Sequence, residues 1–134
     1  MNNHQTLYQS LHRKLMSVKD FQSLIQQAEK RLNARSIATR EAIEMAQKPL
    51  IKLFIPNAQM TWLLSELDPE EPEIAFGLCD LGVGFPELGS VSIRDLVMLR
   101  GPLGLSVEKE RSFEPMHTLV EYARIARSHR QIVA

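Results

Sequence analysis

From Val18 to Leu32 the apolar residues Val18, Phe21, Ile25, Ala28 and Leu32 recur at spacings of 3, 4, 3 and 4, with polar residues between them. That period puts a narrow apolar seam on one side of an α-helix. Leu7, Leu11 and Leu15 continue the same seam upstream, and neither Gly nor Pro occurs before Pro49. The spacing therefore predicts helix over residues 5–48, a helical arm. Ser17 followed by Asp20 resembles a capping box, which predicts a break near Ser17. Ile37, Ala42, Ile43 and Met45 carry the pattern less regularly toward Gln47. Two clean heptads are too short for a coiled coil, so the seam suits its own domain and a second subunit equally. On the second reading Val18, Phe21, Ile25 and Leu32 are the oligomerisation residues of a homodimer.

At Pro49 the helical period gives way to short apolar runs broken by turn residues. Residues 50–55 (LIKLFI) alternate and stop at Pro56-Asn57; 60–67 (MTWLLSEL) stop at Asp68-Pro69; 73–81 (EIAFGLCDL) stop at GVGFPELG. Residues 90–93 (SVSI) suggest a short fourth strand. Ser92 with Asp95 resembles another capping box and predicts a helix through Leu99. Residues 105–113 (LSVEKERSF) read as a further strand, and 117–130 as a helix with Leu119, Tyr122, Ala123 and Ala126 on one face. Short connections favour antiparallel pairing. The predicted class is α+β: a small antiparallel sheet of four to five strands, a C-terminal helix and an N-terminal helical arm, divided into 1–48 and 49–134.

Composition changes the picture in one respect. The 134 residues carry 16 Lys and Arg against 16 Asp and Glu, a net charge of zero. The charges are segregated. Residues 1–52 hold nine cations and four acids, whereas 53–93 hold no Lys, Arg or His and seven acids (Glu66, Asp68, Glu70, Glu71, Glu73, Asp80, Glu87). Such asymmetry speaks about partners and steering, or about an acidic sheet pairing with a basic arm, and not about fold. No apolar run approaches the 18 residues of a membrane span. The stretch MNNHQTLYQSLHRKL lacks a secretory h-region, and a single Cys makes no internal disulfide. Both fit a reducing, cytoplasmic setting.

Candidate chemistry is sparse. Cys79 lies in an apolar strand without a nearby cation, a small hydrophobe rather than a thiolate nucleophile. Glu66, Asp68 and Glu70 alternate and could share a face, yet DPEEPE also makes an ordinary solvated turn that lacks the ligand pattern of a calcium loop. His4, His12, His117 and His129 have no zinc spacing with the Cys. The glycines match neither a P-loop nor a dinucleotide fingerprint. No catalytic residue, metal site or cofactor is assigned. Recognition is the better reading, with Glu66, Asp68, Glu70, Glu71 and Glu73 flanked by Trp62 and Phe85 as the partner-binding set. A strand position beside Leu63 and Leu64 suits Trp62 to the core as well.

Residues 50 to about 127 also resemble a known family. KLFIPNAQMTWLLSELDPEEPEIAFGLCDLGVGFPELGSVSI, then RGPLGL, VEKERSF and EYARIAR, are similar to an uncharacterised bacterial domain carried by plasmids and other mobile elements. The chain departs from that pattern at Ser90, where an aromatic is usual, at Lys109-Glu110-Arg111, and in the arm. The whole chain, arm included, is similar to a small Legionella effector that inhibits the paired ubiquitin deamidases MavC and MvcA, the first also a transglutaminase. The resemblance implies a non-catalytic inhibitor that binds a bacterial ubiquitin-modifying enzyme and is delivered into the host cytosol by a secretion system. The alternative it leaves open is a nucleic-acid-linked accessory protein of mobile elements, using the basic arm on phosphate.

Overall fold

The computed structural model describes residues 8–134; Leu7 and His4 lie outside them. The described elements are α1 (Ser10–Arg13), α2 (Val18–Leu32), α3 (Ile37–Ala46), β1 (Ile51–Phe54), β2 (Thr61–Leu67), β3 (Ile74–Asp80), β4 (Glu87–Ser92), α4 (Ile93–Met98), β5 (Glu108–Lys109) and α5 (Leu119–His129). The strands form one antiparallel sheet in the order β4-β3-β2-β1-β5. The fold is α+β. Among the described residues no helix is long and apolar enough to cross a membrane.

The helix starts follow local chemistry. Ser17 Oγ accepts the Asp20 N–H at 3.1 Å and the Asp20 carboxylate accepts the Ser17 N–H at 3.0 Å, a reciprocal cap. The helix predicted to continue to Gln47 breaks instead after Leu32, and Ser36 caps α3 by accepting the Thr39 N–H. Asn33 and Ser36 favour turn and cap positions over helix interior, and α3 buries no residue that could override them.

The sheet is covered on both faces. On one, Ile51, Leu53, Trp62, Leu64, Leu67 and Ala75 pack with Phe21, Leu24 and Ile25 of α2 and with Ile93 and Leu96 of α4. On the other, Leu63 and Leu78 pack under Leu119, Tyr122, Ala123 and Ala126 of α5. This explains why TWLL reads as a continuous apolar run. It also corrects the seam. Phe21 and Ile25 are fully buried against the chain's own sheet and offer nothing to a second subunit; only Val18 and Leu32, at the ends of α2, are exposed. One core thus runs across Pro49, which marks a change of element.

A bulge in β2 decides what lies on each face. Leu64 pairs with Gly77 and Glu66 with Phe76, so Ser65 is the extra residue. Its carbonyl accepts a hydrogen bond from Gln27 Nε2 at 2.5 Å. Leu67 returns to the α2 face opposite Ala75, which turns Glu66 to the α5 face beside Phe76.

At the sheet margins, β4 starts three residues earlier than predicted, and the strand predicted over 105–113 shrinks to Glu108–Lys109. The Glu110 carboxylate accepts the Ser112 N–H and hydroxyl, closing a turn that ends β5. Lys109 Nζ reaches Asp20 at 2.5 Å and clips β5 to α2. Two further clips tie chain ends to the sheet. His12, fully buried, accepts the Gln9 N–H at Nδ1, which leaves Nε2–H to donate to the Pro72 carbonyl at 2.8 Å. Asp80, also buried, accepts the Gly82 N–H at one oxygen and the Ile132 N–H at the other, both at 2.9 Å. Asp80→Ala orphans both amides and is expected to lower stability by about 2 kcal/mol. Urea unfolding measures the loss, and hydrogen exchange should show the Ile132 amide losing protection first.

Candidate docking surface

The acidic segment divides on folding. Asp68 Oδ1 accepts the N–H groups of Glu70 and Glu71, so it organises the β2–β3 turn. Glu73 pairs with Arg94 at 3.0 Å on the surface. Glu70 and Glu71 face solvent.

Glu66 does something else. It is only 5% exposed, accepts Arg31 Nε and Nη2 in a two-pronged pair at 2.9 Å each, and takes a third bond from Gln47 Nε2 at 2.7 Å. Hydrogen bonding to Glu66 holds the Arg31 guanidinium above its already high pKa, against an opposing effect of burial. The pair fastens α2 and the end of α3 to the bulged strand. Glu66 is therefore an internal tie, which corrects its place among solvent-facing contacts.

Trp62 needs the same correction. At 1% exposure it sits in the α2-side core, its register partners Leu53 and Cys79, and meets no partner from there. Phe85 is the opposite case, 75% exposed on the loop between β3 and β4. That loop follows the C-terminal end of β3, whereas the acidic turn precedes its N-terminal end. At 3.3 Å per residue the two lie about 20 Å apart, so the strip and the aromatic are not one patch.

Phe85 has other company. Leu81 and Val83 are exposed on the same loop, and Leu103 and Leu105 on the loop closed by the Arg100–Ser106 bridge and the Gly101 N–H to Leu105 carbonyl bond. Both loops lie against the 55–60 turn. A Cβ on Gly82 would come within 2.8 Å of the Gln59 carbonyl, and one on Gly101 within 2.6 Å of Ile55 Cγ2. One end of the sheet thus carries an apolar tip. Sequence reading found Phe85 but not its neighbours, since no periodicity links residues 81–85 to 103–105.

A second concavity lies on the α5 face. Arg31, Leu32, Glu44, Met45, Glu66, Asp68, Phe76, Leu88, Ser90, Leu119 and Val120 line a groove of about 440 Å³. Phe76 is 39% exposed there, beyond the reach of α5. The Arg31–Glu66 pair forms part of its lining.

Catalysis finds little support in this geometry. Burial pushes the Cys79 thiol up to about 11. The residue packs against the α2-side core, while His117 packs edge-on to Tyr122 of the α5-side core. At pH 7.5 Cys79 is expected to react with a thiol-specific disulfide reagent at least about 100-fold more slowly in the folded than in the urea-unfolded protein. A burst of labelling in the native state would contradict the assignment. Among the described residues no three His, Cys, Asp or Glu side chains come together as a metal site.

No curated protein and no solved structure matches the chain. One family model does, over residues 23–133, from the middle of α2 to beyond α5. On that match the chain belongs to the protein family of unknown function DUF2958.

Proposed function

We propose that this protein works by binding another protein and blocking it, and that its target is a bacterial ubiquitin-modifying enzyme, a deamidase or transglutaminase of the MavC/MvcA kind. The observation that carries the protein-binding part is the apolar tip, where Phe85 and Val83 stand 75% and 68% exposed on a loop held by Gly82 and buried Pro86. Exposed aromatic and aliphatic side chains on a rigid support are what an interface core requires. The target rests on the resemblance of the whole chain to the Legionella inhibitor, and with it go host-cell delivery and a role without chemistry. Asp68, Glu70, Glu71 and Glu73 would then act at a distance, steering association.

Mixing the purified protein with a MavC- or MvcA-type deamidase and ubiquitin tests this directly, deamidation being read as a mobility shift on native gels. Stoichiometric suppression is expected, weakened at least 10-fold by Phe85→Ser combined with Val83→Ser. Undiminished deamidation at excess protein would overturn the target. Suppression that survives the double substitution would move the contact away from the tip. The accessory role in mobile elements draws on Arg13, Lys14, Lys19, Lys30 and Arg35, all exposed; it predicts a gel shift of duplex DNA that these cations, changed together to Gln, abolish.

A further inference from the structure

We infer that the outer edge of β4 pairs with the same edge of a second copy of this chain, antiparallel and about a two-fold axis at Ser90, so that two five-stranded sheets join into one. This site is separate from the apolar tip and stands or falls without the ubiquitin-modifying target.

The edge is open and its hydrogen-bonding pattern can be read out. β4 is the last strand of the sheet, and no described element pairs with its outer side. The Ile93 N–H donates to the Glu73 carbonyl at 2.7 Å, in register with the β3–β4 ladder, where Ile74 faces Ser92. Antiparallel pairing alternates, so the main-chain groups of Val91, Gly89 and Glu87 point at β3. Those of Leu88, Ser90 and Ser92 therefore point outward. Two such edges bond when outward residues oppose outward residues. Centred on Ser90, every outward residue does so: Ser90 meets its own copy, and Leu88 meets Ser92 on either side of it. Centred on Gly89, Ser92 would instead meet Pro86, which has no N–H to give. Nothing natural blunts this edge, since β4 holds neither Pro nor Lys.

Charge chooses the occupant. Between Glu87 and Arg94 the chain reads LGSVSI, without a charge. An antiparallel copy therefore sets the acid at one end of each strand beside the base at the end of the other. In the Ser90 register Glu87 falls opposite Ile93 of the second copy and next to its Arg94. The two lie on the same side of the joined sheet. Glu87 shares its face with Cys79, against the α2-side core, and α4 packs on that core through Ile93 and Leu96. Arg94 donates to Glu73 through Nη2 and its side chain is 61% exposed, which leaves the rest of the guanidinium fork free; Asp95 lies about 100° further round α4. Within one chain Glu87 and Arg94 stand about 20 Å apart, at opposite ends of β4, and do not meet. On the other face the joined row runs Phe76, Ser90, Ser90, Phe76, and the two small serines leave room for the half-exposed rings to lean toward the axis. A chain of zero net charge adds no long-range repulsion between copies.

One short strand a side makes an interface of the weak class, below about 1,200 Å², so sedimentation equilibrium has to be read up to about 1 mM protein. A monomer–dimer equilibrium is expected. Ser90→Pro removes an outward N–H without touching the β3 ladder and should weaken the dimer at least about 10-fold. If that variant does not fold, Ser90→Lys sets two cations face to face on the axis and should do the same. Glu87→Arg and Arg94→Glu should each weaken the dimer, and the two together should restore it, because only an antiparallel contact between copies brings positions 87 and 94 together. A monomer at the highest concentration would overturn the proposal, as would a dimer that neither Ser90 variant weakens. A charge swap that restores nothing would overturn the register. A dimer that dissolves on Phe85→Ser with Val83→Ser would belong to the apolar tip instead.

Discussion

Gly77→Ala is expected to be the most damaging single methyl that can be added to this protein. Gly77 lies in the middle of β3, with Leu64 opposite it on β2 and Gly89 on β4. A Cβ there would fall inside the Leu63 carbonyl and 2.9 Å from Leu64 Cα. Both obstacles are main chain in the interior of a sheet, so neither can swing aside as a side-chain tip would. Accommodation requires β2 and β3 to part just before the Ser65 bulge, which breaks ladder bonds and opens both cores at once. The loss should be at least about 3 kcal/mol, lowering the melting temperature by about 10 °C or more. A well-expressed variant with an unchanged melting curve would mean that the strands do not approach this closely. Gly89→Ala is the control: its Cβ meets nothing within 4 Å.

Arg31→Ala should follow in severity, for an electrostatic reason. It leaves the Glu66 carboxylate, 5% exposed, with Gln47 as its remaining side-chain partner. Stranding a buried charge usually costs 3–5 kcal/mol. Because the Arg31 side chain keeps 24% of its exposure, water can reach part of the vacated space, and about 2–3 kcal/mol is the expected loss. Removing both ends of the pair, as Arg31→Met with Glu66→Leu, should recover most of it. Chemical denaturation of the two single variants and the double variant gives the coupling energy directly. A double variant as unstable as Arg31→Ala would show that the fold needs the polar tie and not merely charge neutrality.

These two positions also show how far sequence reasoning reaches. Local rules succeeded where a local event decides the outcome. The Ser17–Asp20 cap, the turns at Pro56-Asn57 and Asp68-Pro69, and the Leu119, Tyr122, Ala123, Ala126 face are all set by neighbours within a few residues. They failed where the deciding contact is remote. The break after Leu32 went unseen because Asn33 and Ser36 are weak signals within a long run of helix formers. Alternation along SELDPE suggested acids on one solvent face, but a single extra residue, Ser65, rotates Glu66 inward. Its partner Arg31 lies 35 residues away, a distance no spacing rule covers. Trp62 suited an interface by residue type and the core by its strand position, and the core is where it lies, since the sheet buries both faces of β2. The groove is less legible still, since α2, α3, β2, β3, β4 and α5 each supply part of it.

That two-sided covering has a consequence for the order in which the protein can form. Everything needed to close the first face, from Leu15 to Val107, has been synthesised about ten residues before α5 begins. The second face has to wait for residues 119–126. Until then a growing chain holds Leu63 and Leu78 toward water on a sheet that already has a free margin at β4. That interval, rather than any state of the finished molecule, is when the chain is most exposed to mispairing with its neighbours, and it ends when α5 lies down.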